Sequence, residues 1–311
     1  MGVQTRKVDE ICKSWFSVDL LTQSKNVFPF IYMSLFITSL NSGSNGNCYY
    51  IGNHTEAILI DAGISCRETE RRMHLLGLTM KTVKGIFISH EHSDHIRGVA
   101  QLAKKYSLPV YVTTNTFLYG NLNLIKTLAC NFTANQPVFI GGLSVTAFQK
   151  LHDAADPHSF IVTYNGITVG IFTDIGNTCN NVIHHFSQCH AAFLEANYDE
   201  VLLENGRYPI YLKNRIRGGQ GHLSNRQALE LFTKHHPSFM SHLLLSHLSK
   251  ENNCPQLVQQ LFDKYAGGVE VIVASRYKQT AIYTIQKNDQ KAMAIKPPPI
   301  LSMRPVQLNL F

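Results

Sequence analysis

The chain has 311 residues, a 44% hydrophobic fraction and a formal charge of +7, with a pI near 9.0. That is enough apolar material for a sizeable core, which excludes a disordered chain, and the positive charge favours acidic partners such as nucleic acid. Seven scattered cysteines without a Cys-x-x-Cys pair exclude a zinc ribbon or a disulfide framework, so a reducing, cytoplasmic setting is expected.

Residues 1–32 read as a poorly ordered N-terminal extension. Their apolar stretch is interrupted by Pro29, and no segment reaches membrane-spanning length without a charge or a breaker, so no membrane is expected. Strand-like runs rich in β-branched and aromatic residues then recur at 34–40, 48–52, 56–63, 84–89, 108–113, 143–151, 159–165, 167–174, 191–197, 242–248 and 269–275. Asn165-Gly166 between two of them is a hairpin signal. Helical runs are expected at 67–77, 95–106, 224–236 and 254–268, with Ser224 as an N-cap and Gly267-Gly268 as a stop. This mixture predicts a layered α/β domain over 33–287. From 288 the pattern dissolves into a tail, 288–311, with a proline run at 297–299.

One stretch stands out. "SHEHSDH", residues 89–95, crowds three histidines and two acids directly after the apolar run "GIFI". A tight loop at a strand end aims His90, His92, Asp94 and His95 at one point. Imidazole suits Zn or Mn, and a carboxylate adds a hard ligand. Four ligands serve two metals only if others arrive, and His152, Asp174 and His247 each end a β-run. A lone histidine after a strand is usually an ordinary surface residue; the ordered set of seven is far more specific.

The order His-x-His-x-Asp-His, His, Asp, His resembles the signature of the metallo-β-lactamase fold, a four-layer αββα sandwich. "LIDAG", with Asp61, resembles that fold's earlier strand-end aspartate. Further stretches resemble the YycJ/WalJ group within it: "SLNSGSNGNCYYI" (39–51), "HDAADPHSF" (152–160), "FTDIGN" (172–177), "LEANYD" (194–199), "YPIYLKNRI...GHLSN" (208–225) and "LSHLSKENN" (245–253). The match covers about 33–285. It departs at Tyr198, where many relatives carry histidine. The resemblance implies two divalent metal ions, Zn or Mn. His90, His92 and His152 would hold the first, Asp94, His95 and His247 the second, and Asp174 would bridge. It also implies 5′→3′ exonuclease action on DNA, in repair.

In that chemistry a hydroxide shared by the two metals attacks a phosphodiester phosphorus in line. Glu195 and His222 are expected to protonate the leaving 3′-oxygen, with Asp94 also catalytic. Asp61 and Asn47 are expected behind the ligands, Asp61 orienting a histidine. The glycine turn "SGSNGN" (42–47) suits either a contact to a 5′-phosphate or a backbone phosphate, with Ser44 its candidate residue, or a tight turn seating Asn47 and Cys48. Lys213, Arg215, Arg217 and Arg276 are candidate contacts to a nucleic-acid backbone, although a charge run is more often a solvated face. The interval from Asp174 to His247 is too short for an inserted β-CASP domain. A ribonuclease Z-like RNA hydrolase or a small cyclic-phosphodiester hydrolase is the enzyme alternative. A non-catalytic adaptor is the alternative of another class, opposed by the intact ligand set.

The chain ends "PVQLNLF". Gln307, Leu308, Leu310 and Phe311 resemble the motif by which bacterial repair proteins grip the sliding clamp, so that clamp is an expected partner. The competing reading is an apolar terminus folded back on the domain.

Overall fold

The computed structural model describes residues 33–287. The extension 1–32, the proline run and the Gln307, Leu308, Leu310, Phe311 motif lie outside the described residues. Two seven-stranded sheets carry the fold. The first contains β1 (Leu35–Asn41), β2 (Cys48–Gly52), β3 (Ala57–Ile60), β4 (Val83–Phe87), β5 (Val110–Tyr111), β6 (Ala129–Cys130) and β14 (Tyr283–Ile285), in the order β14-β1-β2-β3-β4-β5-β6. The second contains β7 (Pro137–Ile140), β8 (Leu143–Gln149), β9 (His158–Tyr164), β10 (Ile167–Phe172), β11 (Ala191–Glu195), β12 (His242–Ser246) and β13 (Glu270–Val273), in the order β13-β12-β11-β10-β9-β8-β7.

The strands are apolar on both faces because both faces are covered. Alternation along each strand divides its side chains between layers. Ile58 and Ile60 of β3 enter a central core with Phe193 of β11 and Leu244 of β12. Ala57 and Leu59 of β3 face outward to α1 (Cys66–Leu75) and α3 (Val99–Tyr106). Ala192, Leu194, Leu243 and Leu245 pack outward against α5 (Asn180–Phe186), α8 (Asn225–His235) and α9 (Pro255–Asp263). The sheets meet through aromatic pairs, Tyr49 with Phe193 at 4.8 Å and Phe87 with Phe160 at 5.8 Å between ring centres. Helix, sheet, sheet and helix make the four layers expected from the sequence.

Asn165 and Gly166 take positive φ angles of 48° and 75° in the two-residue turn joining β9 to β10. Ser224 caps α8 reciprocally with Gln227. Other expectations need correction. The helix expected over 95–106 is broken into α2 (Ser93–Ile96) and α3. At the break, Gly98 N–H donates to Ala62 O at 2.7 Å, and a Cβ on Gly98 would lie 2.0 Å from Ile64 O. Docking against the 62–64 segment therefore overrides helical continuity. The last helix stops at Asp263, earlier than expected. Four short helices escaped the periodicity reading: α4 (Thr114–Tyr119), α5, α6 (Glu200–Asn205) and α7 (Ile210–Arg217). Helix α7 buries no residue, so it has no apolar stripe to detect. Strands β6, β7 and β14 also escaped; β14 pairs with β1 across almost the whole described chain. Among the described residues, no helix is long and apolar enough to cross a membrane.

Candidate metal centre

Sheet direction gathers the site. Strand β3 runs parallel to β4, and β10, β11, β12 and β13 are mutually parallel in sequence. Two successive antiparallel pairings make β1 parallel to β3, and likewise β8 parallel to β10. The C-terminal end of each of these strands emits a candidate residue: loop 42–47 after β1, Asp61 after β3, 89–95 after β4, His152 after β8, Asp174 after β10, Glu195 at the end of β11, His247 after β12 and Arg276 after β13. Outside strand ends, backbone groups no longer pair in the ladder, and side chains converge on a crevice. Asp61, Asp174 and His247 all sit there in the left-handed region, at φ 58°, 56° and 57°. For non-glycine residues this region costs energy, and such strain clusters at functional sites.

The hydrogen bonds fix which ring nitrogens face inward. Ser89 Oγ donates to Asp61 Oδ2 at 2.8 Å and therefore accepts from His90 Nδ1 at 2.9 Å, leaving His90 Nε2 with a lone pair. His95 Nδ1 donates to Asp61 Oδ2 at 2.7 Å. His152 Nδ1 donates to the carbonyl of Gly221 at 3.0 Å, and His247 Nδ1 donates to Glu195 Oε1 at 2.9 Å. In all four rings Nε2 faces the cluster. Orientation of ligand histidines by a carboxylate or carbonyl at the far nitrogen is a general feature of metal sites.

Two adjoining groups of donor atoms result. His90 Nε2 lies 3.0 Å from His92 Nδ1, which lies 3.4 Å from His152 Nε2. A tetrahedral cation with bonds of about 2.0–2.1 Å has ligand atoms about 3.3 Å apart, so this spacing fits one. In the second group, His247 Nε2 is 3.5 Å from Asp94 Oδ2 and from Asp174 Oδ1, and His95 Nε2 is 3.2 Å from Asp174 Oδ2. Asp174 adjoins both groups, with Oδ1 also 3.8 Å from His152 Nε2. Asp174 Oδ2 and His247 Nε2 are buried without a hydrogen-bond partner. Buried polar atoms are normally paired, and a divalent cation would satisfy both.

The electrostatics divide the same way. Burial drives His90 well below the usual histidine range, and takes His152 down to about 4, with Lys150 adding to the effect. Burial also opposes charge on His247, but Asp174, Asp94 and Glu195 outweigh it and carry the ring up to about 10. His95, beside Asp174 and Asp61, is likewise carried upward against burial. The first group thus keeps free lone pairs, while the carboxylates of the second favour positive charge at its centre. A bound cation would supply that charge in place of the ring protons.

Glu195 organises the flank. It is 0% exposed, yet burial is outweighed by His222 and His247, which hold its carboxyl at about 2. Its Oε1 accepts from His222 Nδ1 at 2.8 Å and from His247 Nδ1; its Oε2 accepts from Ile175 N at 2.8 Å and Leu223 N at 3.1 Å. His222 keeps 21% side-chain exposure. Asn47 Nδ2 donates to Asp94 Oδ2 at 3.2 Å and lies 3.1 Å from His95 Nε2. Asn47 Oδ1 accepts from Gly43 N and from the hydroxyl of Tyr49.

Of the basic residues expected at the rim, Arg276 lies against Ser44, its Nη2 donating to Ser44 Oγ at 3.3 Å. Arg215 pairs with Asp153, while Arg217 pairs with Glu204, whose carbonyl Lys213 holds. These three cations are already occupied, which the charge run alone did not show. The sequence reading also missed Ser89, inside the quoted motif itself, and Lys150, whose buried Nζ donates to Thr173 O at 2.7 Å beside Asp174. Nothing in "QKLH" distinguishes that lysine from a solvated one. Tyr198 is buried, in a bridge with Ser224.

The profile described as the beta-lactamase superfamily domain matches residues 56–247, a span holding all seven clustered histidines and aspartates. The chain belongs to the metallo-β-lactamase superfamily. Within it the chain groups with two curated exodeoxyribonucleases. It is 33% identical to YycJ of Bacillus anthracis over 246 residues, covering 76% of this chain and 92% of YycJ. It is 30% identical to WalJ of Streptococcus pneumoniae over 225 residues, covering 70% and 83%. Among solved structures, the metallo-β-lactamase fold protein YhfI of Bacillus subtilis superposes with a TM-score of 0.63 at 18% identity, covering 81% of this chain and 99% of YhfI. The chain is therefore a metal-dependent hydrolase with the metallo-β-lactamase fold.

Proposed function

We propose that this protein is a 5′→3′ exodeoxyribonuclease of DNA repair that works with two divalent cations. The observation that carries the reading is the pair of adjoining donor groups sharing Asp174, in a chain alignable with 92% of a named exodeoxyribonuclease. His90, His92 and His152 would hold one cation, and Asp94, His95 and His247 the other, with Asp174 between them. Divalent cations bound there supply Lewis acidity toward a phosphoryl oxygen and toward water.

The remaining work falls to the chain's own residues. Glu195 is ionised throughout the neutral range and fixes the His222 ring through Nδ1, so Nε2 is the atom left to deliver a proton to a leaving 3′-oxygen. The same carboxylate holds His247, so proton donor and ligand are positioned by one group. Asp61 and Ser89 hold His90 and His95. Asn47 steadies Asp94. Arg276, with the Ser44 hydroxyl beside it, is the rim contact best placed for a nucleic-acid backbone, with Arg215, Lys213 and Arg217 available only by exchanging their present partners.

The test is a nuclease assay with Mn²⁺ or Zn²⁺ on end-labelled single-stranded DNA, duplex DNA and RNA. Stepwise loss from the DNA 5′ end, absent in Asp94→Ala, is expected. Cleavage of RNA with none of DNA would overturn the substrate assignment. His222→Ala is expected to lower turnover with metal content intact; near-normal turnover would end the donor role.

A further inference from the structure

The glycine loop after β1 does more than seat Asn47. Its tip, Ser44-Asn45, is exposed, and two guanidinium groups converge on it. Arg276 donates from Nη2 to Ser44 Oγ at 3.3 Å, and Arg97 donates from Nη1 to Asn45 O at 3.2 Å. Arg71, Arg72, Arg215, Arg217 and Arg226 each meet a carboxylate within 4.0 Å. Arg97 and Arg276, like Arg67 and Arg207, meet none among the described residues; Arg276 Nη1 is in addition closed off from solvent without a partner. A guanidinium so placed is uncompensated, and an anion beside Ser44 would offset it.

The cradle is rigidly held. Asn45 Nδ2 donates to Arg276 O at 2.9 Å, and Ser42 N to Ser275 O at 3.3 Å. Buried Arg72 ties Leu40 O, Asn41 Oδ1 and Tyr277 O together. A Cβ on Gly46 would lie 2.6 Å from Ile64 Cγ2, so only glycine lets the loop lie flat against 63–64. It also adjoins the candidate centre. Ser44 is three residues from Asn47, hence within about 11 Å along the chain, and Arg97 is two residues beyond His95.

We propose that this cradle, formed by Ser44, Asn45, Arg97 and Arg276, seats the 5′-terminal phosphate of the DNA substrate. The inference rests on the nuclease reading and adds the group by which the end is recognised. Two unpaired guanidiniums match the charge of about −1.5 to −2 on a phosphomonoester better than the single charge of an internal diester. The ligand is also regenerated. When water's oxygen bonds to phosphorus and the P–O3′ bond breaks, the 3′-oxygen takes a proton. The nucleotide behind it is left with a new 5′-phosphomonoester.

The experiment compares binding of a 3′-labelled single-stranded oligodeoxynucleotide bearing a 5′-phosphate or a 5′-hydroxyl, by fluorescence anisotropy in EDTA, where nothing is cut. The full chain is expected to bind the phosphorylated end more tightly by on the order of tenfold. In Arg97→Gln/Arg276→Gln the ratio is expected to fall to about one. Equal affinities on the unaltered chain overturn the cradle without any variant. A ratio that survives the double substitution overturns the residue assignment. Equal weakening of both oligonucleotides by the substitution, with the ratio kept, assigns the arginines to internal phosphates and overturns the terminal one. Discrimination without any DNA cleavage after Mn²⁺ or Zn²⁺ is added sinks the nuclease reading and leaves the cradle. Cleavage without discrimination does the reverse.

Discussion

Glu195→Gln tests the organisation of the site most directly. The native carboxylate accepts four hydrogen bonds, from Ile175 N, Leu223 N, His222 Nδ1 and His247 Nδ1, and donates none. Glutamine has one oxygen and one NH₂. The two backbone donors cannot change their character, so the oxygen is expected to stay with them. The NH₂ then faces both imidazoles and forces Nδ1 to accept. For His247 in the neutral form that a cation binds, this moves the one remaining proton to Nε2, the atom 3.5 Å from Asp94 and Asp174. A protonated Nε2 cannot ligate. Loss of such an orienting partner lowers metal affinity by about 10–100-fold. The mismatched buried groups cost about 1–3 kcal/mol, with a melting-temperature fall of roughly 2–4 °C per kcal/mol in a domain of this size. Calorimetric titration with Zn²⁺ reads the affinity, and ¹⁵N shifts of the imidazoles read the tautomers. Unchanged affinity with His247 still protonated at Nδ1 would refute the reasoning.

The other expectations are simpler. Asp61→Ala removes the acceptor for Ser89 and His95, so metal affinity is expected to fall by about 10–100-fold; metal content after dialysis checks it. Gly63→Ala places a Cβ 1.5 Å from Asp94 O and is expected to cost about 3 kcal/mol or more, whereas Gly219→Ala, with nothing within 4 Å, is expected to stay within about 0.5 kcal/mol; paired thermal melts decide. Glu68 is held at about 2 by its hydrogen bonds to Arg71, with burial opposing and Arg72 adding to the pull. A carboxyl whose folded pKa is depressed stabilises above its unfolded value of about 4.3 and loses that contribution as pH falls toward 2. In Glu68→Gln, the unfolding free energy from denaturant titration should therefore change less between pH 5 and 2, by under about 1 kcal/mol because the pair is partly exposed. The full chain is expected to retain the sliding clamp in a pull-down, and deletion of the last five residues to abolish that retention with nuclease activity intact; no retention by the full chain refutes the motif.

The donor inventory was legible in the sequence because "SHEHSDH" places four chemically matched side chains in one short loop, and because His152, Asp174 and His247 each end an apolar run. Most strands were legible for the same local reason: a run rich in β-branched and aromatic residues is written in adjacent positions. Short solvated helices such as α7 carry no such pattern. Glu195 was paired with His222 from sequence, yet its second bond, to His247, depends on β11 and β12 lying side by side in register. Arg276 was noted as one basic residue among several. Its convergence with Arg97 on Ser44-Asn45 depends on β1 and β13 ending at the same edge. The sequence by itself determined which candidate ligand types exist and that they follow strand-like runs. Only the tertiary structure decided which ring nitrogens face inward, which cations remain unpaired and which carboxylate serves two histidines. Those properties are set by hydrogen bonds between residues tens to hundreds of positions apart, and sheet order, unlike strand composition, is not written in any local stretch.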